Sequence, residues 1–235
     1  MVGPTGCGKT SLVKSVINTK IIKPVPTQIL WLYAEDQPLY KSLGQSVCFF
    51  KGIPEDLETY FDGKKPCLVV IDDLMTKLHS DERLTRLFSV GSHHKNLSVI
   101  FIIHNLFHQG KEMRNLSLNS HYIVLFKNPR DKLQISTLAR QMYPGNPKFL
   151  TEAFHDATKS PYGYLMLDLK PSTDDQFRIR TGILPKDIPF VYMSAESDRS
   201  TSRLLSAFGA RSWRVTSLRK APICSEASGH SRRVT

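Results

Sequence analysis

An eight-residue segment near the start of the chain, Gly3-Pro4-Thr5-Gly6-Cys7-Gly8-Lys9-Thr10, matches the GxxxxGKT pattern of phosphate-binding loops. Its three glycines allow backbone N–H groups to come close to phosphates at the start of a helix. The Lys9 ammonium would contact the β- and γ-phosphates, and the Thr10 hydroxyl would bind Mg²⁺. A helical pattern over residues 10–18 follows directly, which favours a nucleotide site over a chance glycine-rich turn.

A second chemistry-bearing segment is the apolar run from Leu68 to Ile71, which ends in Asp72 and Asp73. An apolar strand that ends in acids carries carboxylates to the edge of a parallel sheet where phosphates bind. We expect Asp72 to hold Mg²⁺, mostly through water, and Asp73 to orient or deprotonate an attacking water. Many ATPases carry Glu at the second position, and Asp is one methylene shorter. The alternative interpretation is a pair of solvated acids at a strand end.

Short β-branched runs alternate with helical stretches, which is typical of a parallel sheet between helices. With the two motifs, this pattern predicts an α/β fold, a RecA-like P-loop NTPase. We predict strands at 28–34, 46–50, 67–73, 97–104 and 121–126, helices at 10–18, 54–61, 81–90 and 130–142, and a hairpin of 162–169 with 176–180.

The two ends of the chain depart from this pattern. Only Met1 and Val2 precede Gly3, although a phosphate loop normally follows a buried strand, so the first strand is predicted to be truncated. After about Pro189 the sequence is rich in Ser, Arg and Ala and has no periodicity, which favours disorder. We therefore predict an N-terminally truncated P-loop ATPase domain at 1–189 and a basic, disordered tail at 190–235.

Composition restricts the partners and the location. The net charge is +11, and the last forty residues hold 8 Lys/Arg against 3 Asp/Glu. Such a surplus fits a nucleic-acid partner, or equally a basic tail on an ordinary domain. No run approaches the ~18 apolar residues of a membrane span, so no membrane partner is expected. The cysteines are far apart and form no CxxC pair, which predicts reduced thiols in an intracellular, non-secreted protein; they are Cys7, Cys48, Cys67 and Cys224.

Other polar residues extend the candidate site. His104 or Asn105, at the end of the predicted strand 97–104, would sense the γ-phosphate, although a lone His can equally be structural. Arg114, in a polar loop at 110–115, is our candidate for an arginine supplied to a neighbouring subunit; Arg130 and Arg140 are the alternatives. A further cluster of polar residues consists of His79, Asp81, His93 and His94. We do not predict a metal site there, because adjacent histidines rarely converge on one ion.

Together these segments resemble a known family. GPTGCGKT (3–10), LVVIDDLM (68–75), FSVGSHHKNLSVIFIIHNLF (88–107) and NSHYIVLFKNPRDKLQISTLARQMYP (119–144) resemble the genome-packaging ATPases of Polinton/adintovirus-like elements. Those ATPases are similar to poxvirus-type packaging ATPases in the FtsK/HerA superfamily. The resemblance covers roughly residues 3–185.

The resemblance implies a ring-forming ATPase that uses ATP and Mg²⁺ to pump double-stranded DNA into a preformed capsid. The implied partners are double-stranded DNA, further copies of the chain in a homo-oligomeric ring, and a capsid or portal protein, in the host nucleus or at a viral assembly site. Lys9 and Thr10 match the Walker A pair, and Asp72 and Asp73 match the Walker B acids. The family usually has Gln-Asn at the sensor position, where this chain has His104-Asn105.

Two alternative functions remain open at the level of sequence. A P-loop kinase would need an Arg-rich lid and an acceptor pocket, and no clear lid is recognisable. A non-catalytic, degenerate relic of the packaging ATPase would follow from the truncated first strand and the His at position 104. In the packaging interpretation, Lys127, Lys132 and Lys148 are candidates for contacts with the DNA backbone in the central channel.

Overall fold

The computed structural model describes residues 1–43, 47–61, 63–74, 96–107, 111–194 and 218–222. Within these ranges, strands and α-helices follow one another largely as the sequence pattern predicts. The predicted helix at 81–90 lies outside the described residues. The strands are β1 (Gln28–Tyr33), β2 (Val47–Lys51), β3 (Cys67–Asp72), β4 (Leu97–Ile102), β5 (Tyr122–Phe126), β6 (Tyr164–Asp168), β7 (Ile179–Thr181), β8 (Phe190–Ser194) and β9 (Leu218–Pro222), and the helices are α1 (Lys9–Asn18), α2 (Lys111–Asn119), α3 (Leu133–Met142) and α4 (Pro147–Ala157).

The first four strands form a parallel sheet in the order β2-β1-β3-β4. The registers pair Tyr33 with Asp72, and Asp72 with Ile102, so the carboxyl ends of β1, β3 and β4 lie level at one edge. β3 is buried along its whole length, which explains its continuous apolar sequence. The predicted α/β class with a parallel sheet is confirmed.

Residues 1–3 occupy the position between β4 and β5. Val2 forms parallel bridges to both Ile103 and Leu125. The Val2 N–H donates to the Val124 carbonyl at 2.8 Å, and the Phe126 N–H donates to the Val2 carbonyl at 2.9 Å. The sequence predicts a truncated first strand, and in the structure a short segment with parallel bridges at Val2 occupies the place between the two sheets. This segment joins the sheets and anchors the glycine loop that follows it. β4 separates this segment from the acidic strand β3.

Helices cover both faces of the sheet, because successive strand residues alternate between the faces. On one face α1 buries Leu12, Val13 and Val16 against β1, β3, β4 and β5. On the other face α3 and α4 bury an apolar cluster against the same strands. Each fully buried aliphatic or aromatic side chain contributes roughly 1.5–3 kcal/mol, so this packing fixes where α1 begins relative to the strand ends.

Three local predictions differ from the structure. The predicted helix at 54–61 is only a 3₁₀ turn at Leu57–Tyr60, where the Thr59 hydroxyl bonds the Asp56 carbonyl at 2.7 Å, a local bond that competes with an α-helix. The predicted helix at 130–142 begins at Leu133, because the Asp131 carboxylate accepts the Gln134 N–H at 3.2 Å. The predicted polar loop at 110–115 belongs to α2 from Lys111 onward.

Part of the predicted tail is folded. The hairpin partners β6 and β7 pair antiparallel as predicted, and β8 and β9 continue the same sheet in the order β5-β6-β7-β8-β9. Within β8, Val191 and Tyr192 are 3% and 1% exposed. The folded part thus extends past the boundary placed at residue 189, because β8 supplies core residues. The rest of 195–235 lies outside the described residues.

The burial of Tyr192 yields a stability prediction. Tyr192→Ala should lower the free energy of unfolding by about 3–5 kcal/mol, as for other buried aromatics. Tyr192→Phe should cost only about 1 kcal/mol, because it removes the 2.7 Å hydrogen bond to Asp156 and keeps the ring. Urea denaturation measures both. Ile188→Ala, at a residue that is 67% exposed, is the control, and equal stability of Tyr192→Ala and wild type would mean that β8 is not part of the core.

Candidate functional site

The glycine loop (residues 3–10) connects Val2, which lies between β4 and β5, to α1 at the carboxyl edge of the sheet. Gly8, the residue before α1, has φ 103°, a left-handed conformation that favours glycine. At Gly3 a Cβ atom would lie 2.8 Å from the Cβ of Phe126, which is closer than packed carbons allow. The loop can therefore lie this close to β5 only with glycine at position 3.

The start of α1 is open to an anion. No side chain caps it, and no acidic residue lies in its first turn. Among the described residues, the backbone N–H groups of Gly6, Gly8 and Thr10 have no hydrogen-bond acceptor. Unpaired N–H groups at the positive end of a helix bind phosphate and other anions. The geometry of the loop is thus compatible with the predicted phosphate contacts.

Lys9 lies inside the loop and is only 7% exposed. Its Nζ donates to the Gly3 carbonyl at 2.6 Å and to the Pro4 carbonyl at 2.8 Å. Burial lowers the pKa of Lys9, and the nearby Cys7, Asp72 and Asp73 act in the opposite direction. Two neutral carbonyls compensate a buried cation poorly, so a bound anion would be a better partner for this ammonium.

Asp72 ends β3 as a buried carboxylate, 3% exposed. The Tyr40 hydroxyl donates to its Oδ2 at 2.9 Å. Burial raises the pKa of Asp72, while the Tyr40 hydrogen bond and, more weakly, Lys9 lower it. Burial also raises the pKa of Tyr40, which keeps its hydroxyl protonated as a donor. A buried carboxylate favours a cation beside it.

The residues at this edge fit a nucleotide-bound Mg²⁺ rather than an independent metal site. Within the described ranges, no group of three or more His, Cys, Asp or Glu side chains could hold a metal ion. Mg²⁺ does not require such a group, since it keeps several waters and binds one or two carboxylates plus substrate phosphates. Asp72 and the half-buried Thr10, the second residue of α1, are the oxygen-bearing residues that would hold such an ion.

His104 connects the glycine loop with the second acid. Its Nδ1 lies 3.3 Å from the Gly3 carbonyl oxygen, and its Nε2 lies 3.2 Å from Oδ1 of Asp73. Asp73 leaves β3 with φ 57°. Both contacted oxygens are acceptors, so a neutral imidazole satisfies one of them and an imidazolium satisfies both. The structure thus places Lys9 and His104 at the Gly3 carbonyl and Asp73 beside His104.

The other predicted residues lie outside this cluster. The side-chain amide oxygen Oδ1 of Asn105 accepts the Phe107 N–H at 2.8 Å, which closes the turn after β4. Arg114 is exposed on α2, Arg130 is exposed after β5, and Arg140 is exposed on α3 with its Nε bonded to the Ser136 carbonyl. No contact of these arginines with Asp72 or Asp73 is present in the described part of the chain. The cluster of His79, Asp81, His93 and His94 lies outside the described residues.

Tyr40 is the residue at this site that sequence reasoning missed. It belongs to an aromatic cluster with Trp31 and Phe49, at ring-centroid distances of 5.4 and 5.3 Å. No motif marks it, and its contact with Asp72 spans 32 residues. The available signal was weak: a tyrosine soon after a strand that is itself rich in aromatic residues.

The chain was compared with protein-family models, curated proteins and solved structures, and none of the three comparisons finds a match. Among the described helices, none is long and apolar enough to cross a membrane.

Proposed function

We propose that this chain is a Mg²⁺-dependent ATP hydrolase with a RecA-like P-loop NTPase fold, a DNA-translocating motor of the kind that packages the genomes of Polinton/adintovirus-like elements. The observation that carries the ATPase part is the convergence of Lys9, Asp72, Asp73 and His104 at the glycine loop. These side chains come from α1, β3 and the end of β4. An anion-binding loop opposite two carboxylates suits a metal-bound polyphosphate.

Each residue has a distinct task in this proposal. The loop N–H groups and Lys9 bind the β- and γ-phosphates, and Thr10 and Asp72 would hold Mg²⁺, which neutralises phosphate charge when bound. Asp73 orients the attacking water and accepts its proton, and His104 fixes Asp73 relative to Gly3 through its two contacts. In the strand order, β4 lies between Val2, which precedes the glycine loop, and β3, which carries the acids. The loop and the acids are therefore one strand apart, a spacing that supports a water molecule between them.

The role of His104 can be tested by substitution. His104→Ala should reduce hydrolysis by ~10- to 100-fold, because a misplaced reacting group costs about that much, with ATP affinity nearly unchanged. His104→Gln should retain more activity, since its amide can still bond one acceptor. Steady-state phosphate release and equilibrium ATP binding measure the two effects. His155→Ala, at an exposed His on α4, is the control, and a loss of binding as large as the loss of rate would contradict the assignment.

Support for a DNA partner comes from charge. The net charge is +11, and the exposed Lys132 and Lys148 lie at the start of α3 and α4, outside the glycine loop. Lysines that neutralise phosphates bind DNA without reading its bases. A capsid or portal protein, and a location in the nucleus or at a viral assembly site, belong to the same proposal.

Ring assembly is testable through Arg114, the proposed arginine supplied to the neighbouring subunit. Its exposure on α2 is compatible with contact outside its own chain. Arg114→Ala and Lys9→Ala proteins should each be inactive alone, and mixing them should restore activity at subunit pairs that hold one intact copy of each group. Arg140→Ala is the matched control and should remain active. No recovery on mixing, under conditions in which the two proteins co-assemble, would exclude a role for Arg114 in trans.

Duplex DNA provides the test of the motor proposal. ATP hydrolysis by the full chain should rise several-fold with linear double-stranded DNA, and Lys132→Ala/Lys148→Ala should weaken the stimulation without changing the DNA-free rate. Transfer of the γ-phosphate to a nucleoside monophosphate, with no DNA effect, would instead indicate a kinase. Binding of ATP without hydrolysis would indicate a non-catalytic relic.

A further inference from the structure

A cavity of about 280 Å³ lies on the side of the glycine loop away from Asp72 and Asp73. Gly6 and Cys7 form its wall on the loop side. The other walls come from the segment after β5 and the turn before β6, with Lys127, Pro129, Lys159 and Tyr162 among the lining residues. The loop residues of this wall belong to the proposed phosphate site and Lys127 is a sequence-based candidate for DNA contact, but Pro129, Lys159 and Tyr162 have no role in the proposals above.

The position of the cavity relates it to one end of a nucleotide. Asp73 and His104 lie on the β3–β4 side of the loop, where the proposed hydrolysis of the terminal phosphate takes place. A polyphosphate bound along the loop with its terminal phosphate there would extend its other end toward β5 and β6, which lie on the opposite side of the loop from β3. The cavity opens on that side, because Lys127 directly follows β5 and Tyr162 lies two residues before β6.

Tyr162 gives the cavity an aromatic surface. The residue is 72% exposed, unusual for a large aromatic side chain. Its φ is 60°, a left-handed conformation that is costly for a residue with a Cβ. A Cβ at Gly8 would lie 3.2 Å from its Cδ1, so the ring lies directly against the loop. Lys127 and Lys159 are exposed beside it, and no carboxylate is among the described lining residues.

We propose that this cavity binds the nucleoside end of the nucleotide, with the Tyr162 ring stacked on the purine base and Lys127 and Lys159 close to the phosphate nearest the ribose. Aromatic side chains bind bases by stacking whatever the base sequence, and cations at the cavity rim favour the phosphate. The inference rests on the proposed nucleotide site and adds to it the part that distinguishes a nucleotide from an inorganic polyphosphate.

The test compares ATP with inorganic tripolyphosphate, which has no base. Tyr162→Leu keeps an apolar side chain against Gly8 and the same backbone conformation, but removes the aromatic face. It should weaken ATP binding by ~5- to 100-fold, the range expected for the loss of one stacked base, and change tripolyphosphate binding less than twofold. Tyr162→Phe should bind both like wild type. Phe177→Leu, at another exposed aromatic residue outside the cavity, is the matched control.

The outcomes separate this inference from the proposed function. Unchanged ATP affinity in Tyr162→Leu overturns the inference and leaves the nucleotide site standing. Equal weakening of ATP and tripolyphosphate also overturns it, because Tyr162 would then act through the shape of the loop. A wild-type chain that binds neither ligand contradicts the proposed function itself, and the inference with it.

Discussion

Lys9→Ala is expected to reduce ATP hydrolysis by ~10³-fold, the upper range for the loss of one group that stabilises developing charge. Affinity for MgATP should fall by about 10- to 100-fold, since hydrogen bonds to charged groups contribute roughly 1.5–3 kcal/mol. The physical reason is the position of the ammonium inside the loop, where its present partners are the neutral Gly3 and Pro4 carbonyls. Phosphate release and calorimetric titration with MgATP measure the two effects.

Lys14→Ala is the matched control for this substitution. Lys14 lies on the same helix, but its Nζ donates to the Ser42 hydroxyl at 2.7 Å, outside the glycine loop. Its removal should leave ATP binding and hydrolysis unchanged. If Lys9→Ala and Lys14→Ala both hydrolyse ATP at the wild-type rate, the loop is not the nucleotide site.

The two acids should separate chemistry from metal binding. Asp73→Asn should lower hydrolysis by ~10²- to 10⁴-fold, the usual contribution of general base catalysis, and leave MgATP affinity close to that of wild type. Its amide oxygen can still accept from His104, so the local geometry is kept. Asp72→Asn should instead raise the Mg²⁺ concentration needed for half-maximal activity, because it removes the charged oxygen ligand. Identical Mg²⁺ dependence in the two variants would contradict these assignments.

The stability of Asp72→Asn provides an independent check. Burial raises the pKa of Asp72 above its ordinary value of 3.8. Asp72 has its ordinary pKa in the unfolded chain and the raised pKa in the folded chain. Between the two, the folded chain binds more protons than the unfolded chain, so the free energy of unfolding falls as pH rises through that window. Asp72→Asn lacks this loss and should melt at a higher temperature than wild type at pH 7, with the difference shrinking below about pH 4. A lower melting temperature at pH 7 would show that the ionised carboxylate stabilises the fold.

The core of the candidate site could be predicted because its determinants are local. A glycine-rich segment before a helix and an apolar strand ending in acids are short-range patterns, and parallel strands end at one edge of a sheet. Lys9, Asp73 and His104 meet for this reason. Tyr40 and Tyr162 could not be found in the same way, since only the fold brings them to Asp72 and Gly8.

The errors at the level of the fold also have physical causes. The loop predicted around Arg114 is part of α2, because a polar surface helix has a weak apolar periodicity. α4 was missed, although Pro147 at its start and the buried Phe149, Leu150, Ala153 and Phe154 follow a helical pattern. β8 was assigned to a disordered tail, because five residues give little periodicity and its burial comes from pairing with β7. For β8, tertiary contacts outweighed the local signal.

A single-turnover measurement, with ATP labelled on the γ-phosphate and the full chain in excess, tests whether residues 3–10 form the site of an ATP hydrolase. We expect wild type to release the label as inorganic phosphate when Mg²⁺ is present, chelation of Mg²⁺ to stop the release, and Lys9→Ala to slow it by ~10³-fold. Label that remains in ATP with wild type, or that is released equally by wild type and Lys9→Ala, would contradict the claim that residues 3–10 form the site of an ATP hydrolase.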